Sequence, residues 1–290
     1  MKTVDLHVHS DKSDGSFTPS QLVELALGKG LSAFALTDHD TTAGVKEAVA
    51  AGKEKGIEVI PGIEFSTAYR LPGMPEKDIH IVGLFIDEDA PAFQKQIHAF
   101  VDARIERNRK MCARLAADGI DISYEQLLSA FPGSVITRGH YARYLFDRGY
   151  VKSMPEAFDR YLGDNTKYFV PREKITPAQA VSLILETKGI PVLAHPTLYH
   201  MGKDSLNRLI RELKDAGLVG IEAIYATYSA GEERQMRQLA AKYDLLISGG
   251  SDFHGKVKPK LEIGTGYGKL FVPEDVLANI KNKRKEMFDV

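Results

Sequence analysis

The sequence predicts an α/β protein in which short strands and helices alternate around a largely parallel sheet or barrel. Through the first 90 residues, runs rich in β-branched and aromatic residues are separated by segments with helical periodicity. From about residue 91 to residue 174 this rhythm breaks and no convincing strand is visible, after which the alternation resumes. We therefore expect a discontinuous barrel domain over residues 1–90 and 175–290, with a helical, substrate-capping subdomain inserted over residues 91–174.

The first part of the chain contains four predicted strands and two predicted helices. Thr18 and Pro19 match a helix N-cap followed by proline at the first helical position. The elements expected here are, in order, strand Val4–Ser10, helix Gln21–Gly28, strand Phe34–Leu36, a helix that ends near Lys55, and strands Glu58–Phe65 and Ile79–Phe85.

The predicted insertion begins with one long helix, Phe93–Ala117, and continues with shorter helical pieces near Tyr124, Tyr141 and Pro155. Thr176 and Pro177 then repeat the N-cap and proline pattern and open a helix. The elements expected after it are strand Pro191–Ala194, helix Ser205–Ala216, strand Val219–Ile224, helix Glu232–Tyr243 and strand Leu245–Ser248.

Composition sets limits on the environment and on the partners of the protein. A net charge of -1 gives no overall field that would attract an anion, so the site itself must supply positive charge. One cysteine, Cys112, excludes an intrachain disulfide framework and a thiolate metal cage. The sequence has neither a leader-like start nor an apolar stretch long enough for a membrane span, so we expect a soluble, cytoplasmic protein with no membrane association and no obligate protein partner.

Histidines follow the predicted strands in a pattern that indicates metal binding. His7 and His9 alternate on the first strand, so both side chains project to one face, as two ligands of one ion require. Other potential ligands fall mostly at the carboxyl ends of strands, where a β/α barrel builds its active site. These further candidates are Asp14, His39, Glu64, His80, His195, Asp252 and His254. A lone histidine is more often structural, but so many polar groups near one core would be costly unless metal satisfied them.

Four motifs carry a resemblance to the polymerase and histidinol phosphatase (PHP) family. They are Asp5-Leu6-His7-Val8-His9-Ser10, Thr37-Asp38-His39-Asp40, Ala194-His195-Pro196 and Ser251-Asp252-Phe253-His254. The resemblance implies a distorted seven-stranded β/α barrel and a metal-dependent phosphoesterase. The helical interruption between His80 and His195 further resembles the branch that contains nucleoside 3',5'-bisphosphate phosphatases and 5'-to-3' exoribonucleases of short RNA.

The resemblance also implies how two to three divalent ions are held. His7, His9, Glu64 and Asp252 would bind the first ion, Glu64, His80 and His195 the second, and Asp14, His39 and His254 the third. A nitrogen and oxygen ligand set without sulfur suits Mn²⁺, Fe²⁺ or Zn²⁺. Two such ions would lower the pKa of a shared water, so that hydroxide could attack phosphorus near neutral pH.

Residues beyond the ligands are expected to orient the imidazoles and to bind substrate. Asp5, Asp38 and Asp40 would orient the ring nitrogens, although each could equally be a turn or cap residue. Arg138 and His140 resemble the family's clamp on a second phosphate, and Arg143 could join them. The substrate would then be a nucleotide bisphosphate or the 5' end of a short RNA, with hydrolysis at the 3'-phosphate of the bisphosphate.

Other polar and glycine-rich patterns are given structural interpretations. The basic side chains at helical spacing on the long helix, Arg104, Arg107, Lys110 and Arg114, are expected to form a solvated stripe. Gly264-x-Gly266-x-Gly268 is not followed by a helix and is expected to be a turn. His98 and His200 lie outside the motifs and receive no role.

Three rival functions make different predictions. A metal-dependent amidohydrolase predicts a bridging lysine and a lone final aspartate, whereas this chain has Glu64 and an Asp-x-His motif. A non-catalytic, phosphate-binding regulatory module predicts missing ligands, and none is missing. Histidinol phosphatase activity is the main alternative among phosphoesterases; the insertion and the Arg138/His140 pair favour a substrate with two phosphates.

Overall fold

The computed structural model describes residues 2–71, 73, 75–171 and 174–289, so two residues of the predicted insertion, 172 and 173, lie outside the described residues. Seven strands form one sheet in the order of the sequence. They are β1 (Thr3–Val8), β2 (Leu31–Leu36), β3 (Glu58–Tyr69), β4 (Lys77–Leu84), β5 (Ile190–Leu193), β6 (Gly220–Tyr225) and β7 (Leu246–Gly250).

The sheet curls into a nearly closed barrel, which confirms the predicted α/β barrel class. The edge strands β1 and β7 approach each other, and the backbone N–H of His9 donates to the carbonyl of Phe253 at 3.0 Å just beyond them. Gly250 makes this approach possible, because a Cβ there would lie 2.4 Å from Cβ of His7. Asp252 N–H donates to the His7 carbonyl at 2.9 Å and extends the seam.

One strand departs from the parallel arrangement. β4 runs antiparallel to both β3 and β5, whereas the other neighbouring strands are parallel. The third strand was expected to end at Phe65, but β3 continues to Tyr69 because its second half pairs with β4 as a hairpin. Glu64 therefore lies inside a strand, and the start of β4 is brought to the edge of the barrel where the parallel strands end.

Helices pack around the outside of the barrel. They are α1 (Pro19–Gly28), α2 (Val45–Lys55), α7 (Pro177–Glu186), α8 (Lys203–Asp215), α9 (Ala230–Lys242) and α10 (Glu274–Phe288). Thr18 and Thr176 form capping boxes with Gln21 and Gln179, and each is followed by proline, so the sequence fixes where α1 and α7 begin. None of the described helices is long and apolar enough to cross a membrane.

Between β4 and β5 the chain forms a helical region with a hydrophobic cluster of its own. Its elements are α3 (Pro91–Ala117), α4 (Tyr124–Ala130), α5 (Arg138–Asp147), α6 (Met154–Ala157) and a π-helical turn (Phe158–Leu162). Tyr141, Leu145 and Leu162 are fully buried in that cluster, which also contains the free Cys112. The division of the chain at residues 90/91 and 174/175 stays a prediction.

Candidate metal centre

The barrel brings polar side chains from six strands or their following loops to one edge. His7 lies on β1, Glu64 on β3 and His80 on β4, while His39, His195 and Asp252 follow β2, β5 and β7. Five of these strands point their carboxyl ends or second halves at this edge, as expected for a β/α barrel. His80 is in the first half of its strand and reaches the same edge because β4 is antiparallel.

Nine residues form four overlapping groups whose potential ligand atoms lie within 4.8 Å of one another. The groups are His9, Asp14, His39 and His254; His7, His9 and Asp252; His7, Glu64 and His195; and His39, Glu64 and His80. Together they contain the nine residues that the sequence nominated, and no other residue of the described part of the chain joins them. Their division among individual ions stays a prediction.

Glu64 lies at the centre of these groups and faces two sets of imidazoles. Its Oε1 is 2.9 Å from Nδ1 of His80 and 3.0 Å from Nε2 of His195. Its Oε2 is 3.3 Å from Nε2 of both His7 and His9. A carboxylate whose two oxygens face different sets of nitrogens is suited to bridge two ions.

Asp14 and His254 complete the opposite side of the centre. Nε2 of His254 is 3.2 Å from Oδ1 of Asp14, and Nε2 of His39 is 3.9 Å from the other oxygen, Oδ2. Asp14 comes from the loop after β1 and His254 from the loop after β7. The seam that closes the barrel therefore also brings these two residues together.

Bound divalent metal would satisfy these buried side chains better than hydrogen bonds within the protein do. Among the described residues, Nε2 of His7, both ring nitrogens of His9 and Oε2 of Glu64 are buried without a well-aligned hydrogen bond. Burial by itself raises the pKa of Glu64, but His39, His7 and His80 outweigh it and hold that pKa well below its usual value. Nitrogen and carboxylate donors that are buried, ionised and unsatisfied are what a cluster of divalent cations requires.

Glu222 on β6 is a positioning residue that sequence reasoning missed. Its Oε1 accepts a hydrogen bond from Nδ1 of His7 at 2.8 Å, which leaves Nε2 of that ring for metal. Its Oε2 accepts from the backbone N–H of His195 at 2.7 Å. His195 has φ of 26°, a backbone conformation that side-chain-bearing residues rarely adopt, so Glu222 also stabilises a strained ligand loop. A glutamate within a buried strand was the signal available in the sequence.

Asp252 is fixed by two further residues that the sequence analysis did not identify. Its Oδ2 accepts hydrogen bonds from the Tyr225 hydroxyl and from Nζ of Lys258, each at 2.6 Å. The other oxygen, Oδ1, is left 3.2 Å from Nε2 of His9. Burial raises the pKa of Asp252, but Lys258 and His254 outweigh it and keep the carboxyl ionised. One oxygen of Asp252 is therefore presented to the metal centre.

The three aspartates expected to orient imidazoles hold other groups. Asp5 accepts from the backbone N–H and hydroxyl of Ser251 and from the Gly264 N–H, so it ties β1 to the loops after β7. Asp38 accepts from Ser10 and Ser13 in the loop after β1. Asp5, within β1, and Asp38, just after β2, therefore hold the segments that carry candidate ligands and do not bond to the imidazole rings. The turn at Gly264, Gly266 and Gly268 has positive φ at all three glycines.

Asp40 connects the centre to the helical region. Its Oδ1 accepts from the Ser66 N–H at 2.9 Å, and its Oδ2 forms an ion pair with Arg104 of α3. Arg104 and Arg107 were expected to be part of a solvated stripe, but both are buried. The expectation was wrong for these two because α3 packs across the edge of the barrel and this face of the helix is covered. Lys110 remains exposed in an ion pair with Glu106.

A cleft of about 640 Å³ lies between the metal centre and the helical region. Three of the candidate metal ligands, Asp14, His39 and His80, contribute to its lining. Five basic residues also line it: Lys77, Arg104, Arg107, Arg138 and Lys174. Glu76, Asp78 and Asp164 line it as well, so the cleft offers guanidinium and ammonium donors beside the metal centre, with part of their charge balanced by carboxylates.

The three residues predicted to bind substrate occupy different environments. Arg138 lines the cleft and forms an ion pair with Asp164. His140 is buried, accepts from the Thr137 N–H at 2.9 Å and caps α5, and burial lowers its pKa to about 4, so the ring is neutral at pH 7. Arg143 pairs with Asp147 one turn along α5, at 2.6 Å. Of the three, Arg138 alone is among the described residues lining the cleft.

Comparison with known proteins decides the family. The family model described as the PHP domain matches residues 5–175 of the chain. The chain belongs to the PHP family. It is a metal-dependent phosphoesterase, and its overlapping groups of histidine, aspartate and glutamate suggest a polynuclear metal site.

Several PHP relatives span nearly the whole chain. A 3',5'-nucleoside bisphosphate phosphatase from Chromobacterium violaceum is 35% identical over 265 residues, which cover 91% of each protein. A 5'-3' exoribonuclease from Haemophilus influenzae is 38% identical, covering 87% of this chain and 90% of that one. A solved structure from C. violaceum, described as an amidohydrolase with bound sulfate, superposes with a TM-score of 0.86 at 33% identity, over 97% of this chain and 96% of the other.

Proposed function

We propose that this PHP phosphoesterase hydrolyses the phosphate ester of a nucleotide that carries a second phosphate. The substrates would be nucleoside 3',5'-bisphosphates, cleaved at the 3'-phosphate, and short 5'-phosphorylated RNA, cleaved from its 5' end. The observation that carries this proposal is that metal ligands and arginines line one cleft. A phosphate at the metal centre and a second phosphate at the arginines would both be held in that cleft.

Two phosphates would find separate partners in this cleft, because arginines lie both beside the metal centre and farther out. Arg104 is held by Asp40, which anchors its guanidinium beside the metal centre. Arg138, farther out, is paired with Asp164 and also donates to the Leu162 carbonyl at 3.2 Å. A guanidinium held at two points is already ordered, so less side-chain entropy is lost when it binds phosphate.

The nine ligand residues would hold two to three ions of Mn²⁺, Fe²⁺ or Zn²⁺. Bound divalent ions supply charge that neutralises phosphoryl oxygens and lowers the pKa of water. The protein supplies the geometry: Glu222 orients His7, while Tyr225 and Lys258 leave one oxygen of Asp252 directed at the centre. Arg138 and Lys174 would orient the substrate so that one phosphate reaches the ligands.

The names of two relatives support the same substrates. The C. violaceum relative is named for nucleoside bisphosphates and the H. influenzae relative for RNA. Both substrates share a ribose with a 5'-phosphate and an ester at the 3' oxygen. They differ only in what lies beyond the 3' oxygen, so one cleft could bind both.

The test is phosphate release by Mn²⁺-reconstituted protein from adenosine 3',5'-bisphosphate, AMP and histidinol phosphate, with nucleotide release from a 5'-phosphorylated short RNA measured in parallel. We expect the bisphosphate or the RNA to give the highest kcat/KM. Arg138→Ala should reduce that preference tenfold or more, because a charge-assisted contact to phosphate contributes about 1.5–3 kcal/mol. Arg143→Ala is the matched control and should leave it unchanged, because Arg143 pairs with Asp147.

Two results would contradict the proposal. A preference for histidinol phosphate would assign the cleft to a different monoester. If Arg138→Ala and Arg143→Ala reduced the substrate preference equally, the reduction would come from a less stable helix and not from a lost contact with phosphate.

A further inference from the structure

We propose that the outer part of the cleft is a nucleobase subsite formed by Phe158 and Phe169. The inference rests on the proposed function, because it assigns a place to the base of a nucleotide whose phosphates occupy the inner part. Both phenylalanines line the same cleft as the metal ligands and Arg138. Neither has a role in holding metal or phosphate.

Exposure of the lining side chains separates an inner from an outer part of the cleft. Arg104 and Arg107 are 5% and 6% exposed, whereas Phe158 is 36% exposed and Asn165 is also exposed. Arg104 and Arg107 therefore lie deep, whereas Phe158 lies near solvent. Phosphates held by the deep groups would leave the ribose and base of a nucleotide directed outward, toward the aromatic side chains.

The local backbone supports a functional role for Phe158. It begins the π-helical turn Phe158–Leu162, a form that is rare and frequent at functional sites. The Gly163 N–H donates to the Phe158 carbonyl at 2.8 Å and closes the turn. Phe158 exposes apolar surface in a cleft that also has charged lining residues, and a nucleobase would cover that surface.

Phe169 links the aromatic wall to the phosphate region. The guanidinium carbon of Arg138 lies 5.8 Å from the centre of the Phe169 ring. An aromatic face beside an arginine is the combination that binds single nucleotides by stacking while the charge holds the phosphate. Every base has a flat π face, so such a wall accepts all four bases and favours the larger purines.

The experiment measures equilibrium binding of 5'-AMP and of ribose 5-phosphate to the Mn²⁺-loaded protein by calorimetry. Both ligands carry the same phosphate, and they differ in the base. We expect 5'-AMP to bind about tenfold or more tightly, because stacking on one aromatic side chain contributes that much. In Phe158→Ala and Phe169→Leu the preference should fall severalfold or more, whereas ribose 5-phosphate should bind as before.

Two control variants distinguish a loss of base stacking from a general loss of folding. Phe146→Ala removes another exposed phenylalanine of the helical region, outside the residues that line the cleft, and should keep the preference. Phe169→Tyr retains an aromatic ring and should keep it as well. Equal affinity of the wild type for the two ligands, or an equal loss for both ligands in the phenylalanine variants, would overturn the subsite.

The measurement is independent of the proposed reaction because neither ligand needs to be hydrolysed. If 5'-AMP is preferred and the bisphosphate is not hydrolysed, the subsite stands and the proposed function falls. If the bisphosphate is hydrolysed and the base makes no difference to binding, the proposed function stands and the subsite falls.

Discussion

Glu222 acts on two metal ligands at once through its two carboxylate oxygens. It fixes the ring of His7 on β1 and the backbone of His195 after β5, although it binds no metal itself in our assignment. Its side chain is buried, so its hydrogen bonds are not weakened by competing water. Among residues outside the candidate ligands, we therefore expect substitution of Glu222 to weaken metal binding most.

Glu222→Gln should lower the affinity for Mn²⁺ by roughly 10- to 100-fold. The amide NH₂ cannot accept a hydrogen bond, so either His7 or the His195 N–H loses its partner. Titration calorimetry of metal-free protein with Mn²⁺ measures the effect. Glu286→Gln, an exposed change, is the control. Unchanged affinity and stoichiometry in Glu222→Gln would contradict the assigned role.

His140 should make folding stability depend on pH below about 6.5. Its pKa is lowered to about 4 by burial, so as pH falls below 6.5 the unfolded chain binds a proton that the folded protein excludes. Stability contributed by this residue is fully present above pH 6.5 and is lost as pH falls toward 4. Between pH 7 and pH 5 the loss should be about 2 kcal/mol.

His140→Gln tests this expectation, because glutamine at the same helical position can still accept from the Thr137 N–H but cannot titrate. Urea unfolding at pH 7 and pH 5, with a chelator present, should show a smaller loss of stability in the variant than in the wild type. Identical losses would mean that other groups carry the pH dependence.

At the scale of elements, the antiparallel strand β4 and the helical region after it define the cleft. β4 brings His80 to the metal centre, and the chain then leaves the barrel through α3, which places Arg104 and Arg107 over the same edge. All nine candidate metal ligands lie outside residues 91–174, while Arg138, Phe158 and Phe169 lie within them. The structure is therefore consistent with chemistry on the barrel and substrate selection on the insertion.

Leu145→Ala should destabilise the helical region by about 2–5 kcal/mol, because Leu145 is fully buried in its hydrophobic cluster. Leu128→Ala, at an exposed leucine of α4, should change stability far less. Urea unfolding followed by circular dichroism measures both. We expect Leu145→Ala to retain Mn²⁺ stoichiometry under conditions where substrate affinity falls, since the ligands lie on the barrel. If Leu145→Ala lost Mn²⁺ stoichiometry together with substrate affinity, the barrel and the helical region would not have separate roles in metal binding and substrate binding.

At the scale of the whole molecule, the metal centre joins distant parts of the chain. Its ligands come from both ends of the sequence, from His7 to His254, and they meet where β1 and β7 close the barrel. Without metal, the folded state must keep buried carboxylates and imidazoles close together with incomplete hydrogen bonding. We therefore expect bound metal to stabilise the closed barrel as well as to enable chemistry.

Removal of metal should lower the melting temperature on the order of 10 °C. Binding to the folded state at a thousand times Kd adds about 4 kcal/mol, which corresponds to a shift of that size in a protein of this length. Thermal unfolding with Mn²⁺ and with EDTA measures the difference. Equal melting temperatures would indicate that the centre contributes nothing to stability.

The sequence by itself determined the alternating α/β class, the nine candidate ligands and the starts of α1 and α7. These follow from local signals: strand and helix periodicity, N-caps followed by proline, and histidines placed at strand ends. The tertiary structure alone decided the direction of β4, the burial of Arg104 and the partners of Glu222. Each of these depends on contacts with residues that are distant in the sequence. Neither periodicity nor spacing along the sequence shows which distant residues come into contact.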